Sequence, residues 1–120
     1  VIEAAITVHT ELGPGFLESI YESALKTALR HRGMEYEVQK QVTVYFEGEE
    51  AGVQRLDLVV ENELIVELKA VSSLEAIHFA QVRSHLSATG LHVGLLLNFN
   101  APQLVVKRVV RQYQEPNEEP

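Results

Sequence analysis

The sequence predicts an α/β domain in which a mixed central sheet is flanked by helices, in the order α-α-β-β-β-α-β-β. Three observations predict it. Up to Gly33 the apolar residues recur at helical spacing, interrupted by "GPG" at 13–15. From Tyr36 to Val71 the pattern changes to strand-like alternation with turn signals between the runs. A helical stretch, "SSLEAIHFAQVRSHLSATG", then separates two strand signals, and a crossover of that length implies a parallel pair.

The first helix is "VIEAAITVHTEL", with Ile2, Ala5, Ile6, His9 and Leu12 at helical spacing. The second spans 16–32. Leu17, Ile20, Tyr21, Ala24, Leu25, Ala28 and Leu29 form its stripe, and Gly33 stops it. Arg30 and Arg32 fall in its last turn, where cations suit the helix dipole better than they suit a phosphate contact. Strands follow in "YEVQKQVTVYFEG", "VQRLDLVV" and "LIVELKAV", with turns at "EGEEAG" and "ENE". Ser72 and Glu75 read as a capping box opening the third helix, which Gly90 ends. "LHVGLLLNF" is nearly continuous and apolar, as befits a strand buried on both faces. "QLVVKRVV" completes the sheet at an edge.

The 120 residues suffice for one domain, assigned to 1–113, followed by a disordered acidic tail at 114–120. The chain begins at Val1 rather than Met, which reads as trimming or processing. Cysteine is absent, so disulfides, thiolate metal sites and cysteine nucleophiles are excluded, and a reducing, cytoplasmic setting fits. No apolar run reaches the roughly 20 residues of a membrane span. The formal charge of −7 argues against nucleic-acid binding, but weakly. Three of the negative charges, Glu115, Glu118 and Glu119, belong to the tail, and a bound divalent cation would offset two more.

The charges in the middle strands are the informative ones. A three-residue loop at 61–63 pairs Val60 with Leu64, so that Val59 meets Ile65, Asp57 meets Glu67 and Arg55 meets Lys69. Opposed side chains share a face with Cβ atoms about 4.5–5.5 Å apart, and two facing carboxylates repel unless a cation lies between them. A divalent metal is the usual solution, since hard cations take carboxylate and carbonyl oxygen. The bland reading is a solvated face on which Lys69 and Arg55 pair the acids. A two-residue loop would place Asp57 and Glu67 on opposite faces instead. The next helix carries His78, Gln81 and His85 on one side, a line more often of surface residues than of ligands.

Several separate stretches carry a resemblance. "GFLESIY" at 15–21 has the Gly-x-x-Glu-x-x-Tyr pattern, within "VHTELGPGFLESIYESAL", and "RLDLVV", "IVELKAV", "IHFAQVRSHLSATG" and "GLLLNF" follow. In that order they resemble the GxxExxY protein family of the PD-(D/E)XK nuclease superfamily, over about residues 1–111. The resemblance implies a nuclease-like α-β-β-β-α-β core. It also implies that Asp57 is the motif aspartate, with Leu56 standing where some members have proline. Glu67-Leu68-Lys69 is then the E-x-K element, and Glu18 the helical carboxylate that helps bind metal. Gln81 resembles the glutamine of the following helix, and His85 occupies a place where tyrosine is frequent.

The residue types suit that chemistry. Asp57, Glu67 and the Leu68 carbonyl can hold Mg²⁺ or Mn²⁺, with Glu18 joining directly or through water. Lys69 can orient a water and offset charge developing on a phosphate. Gln81 and His85, with His78 nearby, are placed for contacts to the nucleic-acid backbone or the leaving group. Gly15 and Tyr21 read as structural, with a Tyr21–Glu18 bond as the alternative, and His9 reads as a helix-face residue. The expectation is a metal-dependent nuclease acting on DNA or RNA, helped by a homodimer or another domain in gripping a long substrate. The alternative is a catalytically silent module of the same fold that binds nucleic acid or a protein.

Overall fold

The computed structural model describes residues 1–111, so the predicted acidic tail lies outside the described residues. Eight elements follow the expected order: α1 (Ile2–Leu12), α2 (Glu18–His31), β1 (Tyr36–Phe46), β2 (Glu49–Val60), β3 (Leu64–Lys69), α3 (Ala76–Thr89), β4 (Val93–Asn98) and β5 (Val105–Val110). The strands lie in sequence order in one sheet. β3 and β4 are parallel, as the helical crossover requires, and the other neighbours are antiparallel.

The sheet is covered on both faces. On one, Ala4, Val8, Tyr21, Leu25 and Leu29 of α1 and α2 pack with Leu58, Val60, Val66, Leu68, Leu97 and Phe99. On the other, Val82 and Leu86 of α3 pack with Leu56, Val59, Ile65, Leu96 and Val109. β4 is buried on both faces, which is why its sequence runs apolar without alternation. β5 closes one edge as expected. Among the described residues no helix is long and apolar enough to cross a membrane.

Gly94 decides how near α3 lies to the sheet. A Cβ there would stand 2.7 Å from Val82 Cγ1 and 3.5 Å from the Ile65 carbonyl. Val82 is fully buried and β-branched, so it has little room to turn away. Gly94→Ala is expected to cost about 1–3 kcal/mol, the range for overpacking a tight core. Urea unfolding of the variant checks this.

Several expectations need correction at the ends of elements. Helix α2 starts at Glu18 rather than Phe16, because Leu17 is held extended as its N-cap. Strand β2 begins at Glu49, because Glu47 and Gly48 alone make the hairpin turn, both at positive φ. "EEAG" is therefore strand. Ser72 does not cap α3: the N-cap is Glu75, whose backbone N–H donates to His78 Nδ1 at 2.9 Å. The charged residues in the last turn of α2 do serve structure. Arg32 donates to the Ala28 carbonyl at 3.0 Å and to Glu3 at 3.3 Å, and Arg30 donates to the Tyr36 hydroxyl at 2.6 Å.

Candidate active site

The hairpin loop is the three-residue turn that the sequence predicts, with Glu61 and Asn62 both at positive φ. It sets Val60 opposite Leu64, Val59 opposite Ile65 and Leu58 opposite Val66. There the ladder stops, one position before Asp57 and Glu67. The expected Asp57–Glu67 and Arg55–Lys69 ladder pairings therefore do not form, although on the β1 side Arg55 still lies opposite Gln41. In place of the ladder, Asp57 Oδ2 accepts the Leu68 N–H at 3.0 Å. The N–H and C=O of one strand residue point to the same neighbour. The Leu68 carbonyl therefore faces the same gap, and the Lys69 carbonyl faces β4, where it accepts the Phe99 N–H at 2.9 Å.

The strand is disturbed on its other side as well. Gln39, across β1 from Asp57, has φ 52°, a left-handed backbone that costs energy for a residue with a side chain. The alternation of β2 breaks at the same place. Leu58 packs toward α1 and α2, whereas Leu56, two residues away, packs toward α3. Asp57 thus sits where the sheet splays.

Each of the other residues comes to this gap from its own element. Glu67 is buried, only 4% exposed, and its Oε2 accepts from His85 Nδ1 of α3 at 2.5 Å. Lys69 is half-buried at the end of β3, with no carboxylate of the described residues within 4.0 Å. The reading in which Lys69 and Arg55 pair the acids is therefore not what the fold adopts. Glu18 opens α2 and is exposed, within electrostatic reach of Lys69, Glu22, Glu67 and His78. The expected polar line on α3 separates by depth: His78 is half-buried in the cap, Gln81 is exposed, and His85 is buried.

The electrostatics show crowded negative charge. Burial, and then the neighbouring Glu67 charge, push the Asp57 carboxyl up to about 6 against the pull of the Leu68 N–H. Glu18 is also raised. Loss of water is the main cause, opposed by Lys69 and assisted by Glu22 and Glu67. Among the described residues no three His, Asp or Glu side chains form a ready metal cage. The clefts between the β1–β2 arm and α3, lined by Thr43, Tyr45, Gln54, Ser84 and Ala88, contain none of these carboxylates.

Three supporting residues set this geometry. The Tyr21 hydroxyl donates to the Gly13 carbonyl at 2.5 Å and accepts the Phe16 N–H at 3.1 Å, while its ring stacks on Phe99 at 4.6 Å. It latches the loop that launches α2 and does not bond Glu18. His9 likewise anchors α1, bonding the Ala101 carbonyl at 2.8 Å. Asn98, opposite Lys69, pairs with both backbone groups of Val71 at 3.1 and 2.9 Å, fixing the chain just beyond Lys69. Sequence reasoning missed Glu22 and Asn98. Glu22 lies one turn after Glu18, an i, i+4 spacing that puts both on one helix face. Asn98 ends an apolar strand with a polar residue, which is a weaker signal.

A profile of the PD-(D/E)XK nuclease superfamily matches residues 1–109. The chain belongs to the PD-(D/E)XK nuclease superfamily. Solved structures agree on its fold. The crystal structure of SSO0001 aligns with a TM-score of 0.63 at 16% identity, covering 82% of this chain and 52% of that one. An alkaline exonuclease, LHK-Exo from Laribacter hongkongensis, aligns with a TM-score of 0.56 at 12% identity, covering 92% of this chain and 69% of that one. The chain therefore spans about half the length of SSO0001. No curated protein matches it. Identities this low carry the fold and not the activity. Superfamily membership supports a nuclease-like function at a coarse level.

Proposed function

We propose that this domain is a metal-dependent nuclease that hydrolyses phosphodiester bonds, of the type its Gly-x-x-Glu-x-x-Tyr motif resembles. The observation that carries the reading is the gap between β2 and β3. The ladder stops there, Asp57 accepts the Leu68 N–H, and Glu67 and Glu18 lie within electrostatic reach of Asp57, which supports a shared site for Asp57, Glu67, Glu18 and the Leu68 carbonyl beside Lys69.

The donor set fits Mg²⁺ or Mn²⁺. All its members are hard oxygens, and Asp57, raised to about 6 by burial and by Glu67, is a carboxylate that a cation would relieve. When bound, such a cation polarises a phosphate oxygen and lowers the pKa of a coordinated water. Asp57, Glu67 and the Leu68 carbonyl would hold it, with Glu18 of α2. Lys69, free of any carboxylate of the described residues, orients the attacking water and offsets charge on the phosphate. Gln81, exposed one turn before His85, contacts the nucleic-acid backbone, and His78 lies close enough to Glu18 to act beside it. A homodimer or an additional domain supplies further grip, and the compartment is cytoplasmic.

The acidic balance, and the lack of a ready cage among the described residues, favour a second reading, a silent nuclease-fold module that binds nucleic acid or a protein partner. A divalent-ion assay decides between them. Mg²⁺ or Mn²⁺ at 100 times its dissociation constant is expected to stabilise the fold by about 2.7 kcal/mol. The same ions are expected to support cleavage of at least one of single-stranded DNA, duplex DNA and RNA. An unchanged melting temperature at millimolar metal, with all three substrates intact, would move the assignment to the silent module.

A further inference from the structure

We infer that His85 is a positioning residue, which holds Glu67 in the orientation needed for metal binding rather than touching the substrate. The inference rests on the nuclease reading above. It begins with burial: Glu67 is 4% exposed and His85 8%. A carboxylate that far from water needs a partner. Among the described residues no Lys or Arg lies within 4.0 Å of Glu67, and the imidazole at 2.5 Å is its hydrogen-bond partner. The bond takes Oε2 and fixes the side chain, which leaves Oε1 for a cation. It also fixes the ring, since Nδ1 must carry the proton that Oε2 accepts.

The position of His85 is itself tightly determined. Val82, one turn earlier on the same side of α3, sits over Gly94 at a distance no side chain at 94 would permit. Leu86, next to His85, is fully buried in the same layer. α3 is therefore locked against β4, and His85 is delivered to Glu67 with little freedom. Gln81, on the same helix but exposed, has the accessibility expected of a substrate contact, and His85 does not. Partners that orient metal-binding carboxylates matter because they remove the freedom a ligand would otherwise lose on binding.

The test compares His85→Leu with His85→Asn, measuring Mn²⁺ affinity by calorimetry, and kcat and KM for cleavage at saturating Mn²⁺. Asparagine places an amide N–H close to where Nδ1 stands, and leucine offers none. The expected result is a loss of about 10- to 100-fold in Mn²⁺ affinity for leucine. Asparagine is expected to restore most of it, and KM for nucleic acid to stay near wild type in both. Unchanged Mn²⁺ affinity with a raised KM would overturn the inference in favour of substrate contact. Equal losses in both variants would overturn it in favour of the imidazole acting as a ligand. If the leucine variant fails to fold, His85→Ala takes its place as the variant without a donor: a loss that asparagine recovers supports positioning, and near-wild-type affinity in both overturns it. Wild-type protein that binds no Mn²⁺ would overturn the nuclease reading and this role together. Metal-binding wild type with indifferent variants would overturn this role alone.

Discussion

Lys69→Ala is expected to lower cleavage by about two orders of magnitude or more, the scale for losing one charge-stabilising group. Folding and metal binding are expected to stay nearly intact, because Lys69 ends its strand half-buried and pairs with no carboxylate of the described residues. Its strand is held there by the backbone bond to Phe99 and by the Asn98–Val71 pair, neither of which uses the side chain. Lys69→Arg separates charge from shape. Arginine keeps the positive charge, but its planar fork does not reproduce a compact ammonium beside a water. It is therefore expected to leave cleavage low. Single-turnover cleavage at saturating metal, with melting curves in parallel, makes the measurement. Recovery of cleavage in the arginine variant would show that charge alone suffices.

Asp57→Asn is expected to abolish cleavage and to make the apo protein more stable at neutral pH. Asp57 is raised in the fold to about 6 from an ordinary value of 3.8, so the folded state holds its proton more tightly than the unfolded chain does. The stability this contributes is fully present below pH about 4, falls as pH rises toward 6, and is gone above it. A shift of that size corresponds to about 2–3 kcal/mol, at 1.36 kcal/mol per pH unit. Asparagine is neutral throughout and keeps an oxygen to accept the Leu68 N–H. The variant should therefore lack the decline between pH 4 and 6 and show no thermal response to Mg²⁺. Urea unfolding across that range checks the sign. A variant less stable than wild type at pH 8 would show that the charge is already compensated in the fold.

The parts of the site that were legible in the sequence rest on counting along one strand or hairpin. The loop of three residues at 61–63 fixes the register of β2 on β3, and that count correctly places Val59 against Ile65. The E-x-K spacing likewise fixes Glu67, Leu68 and Lys69 on one strand. The count fails beyond Leu58, because it takes strand pairing to continue where the sheet opens. The cap of α3 also lies elsewhere than the spacing predicts. Ser72 and Glu75 have the right spacing for a capping box, but the chain stays irregular until Glu75, and His78 supplies the capping contact.

By itself the sequence determined the elements, their order, the parallel crossover and the superfamily. These are encoded in periodicity, turn residues and short motifs, which act over a few residues or through chain length alone. Only the tertiary structure decided that Asp57 replaces a ladder bond at Leu68, that Tyr21 latches the loop before Glu18, and that His85 reaches Glu67 across 18 positions. Each of those contacts depends on sheet splay or on how near a helix lies to the sheet. That nearness is set at places such as Gly94, where Val82 fills the space a side chain would need. Packing of that kind joins residues distant along the chain, and no local pattern records it.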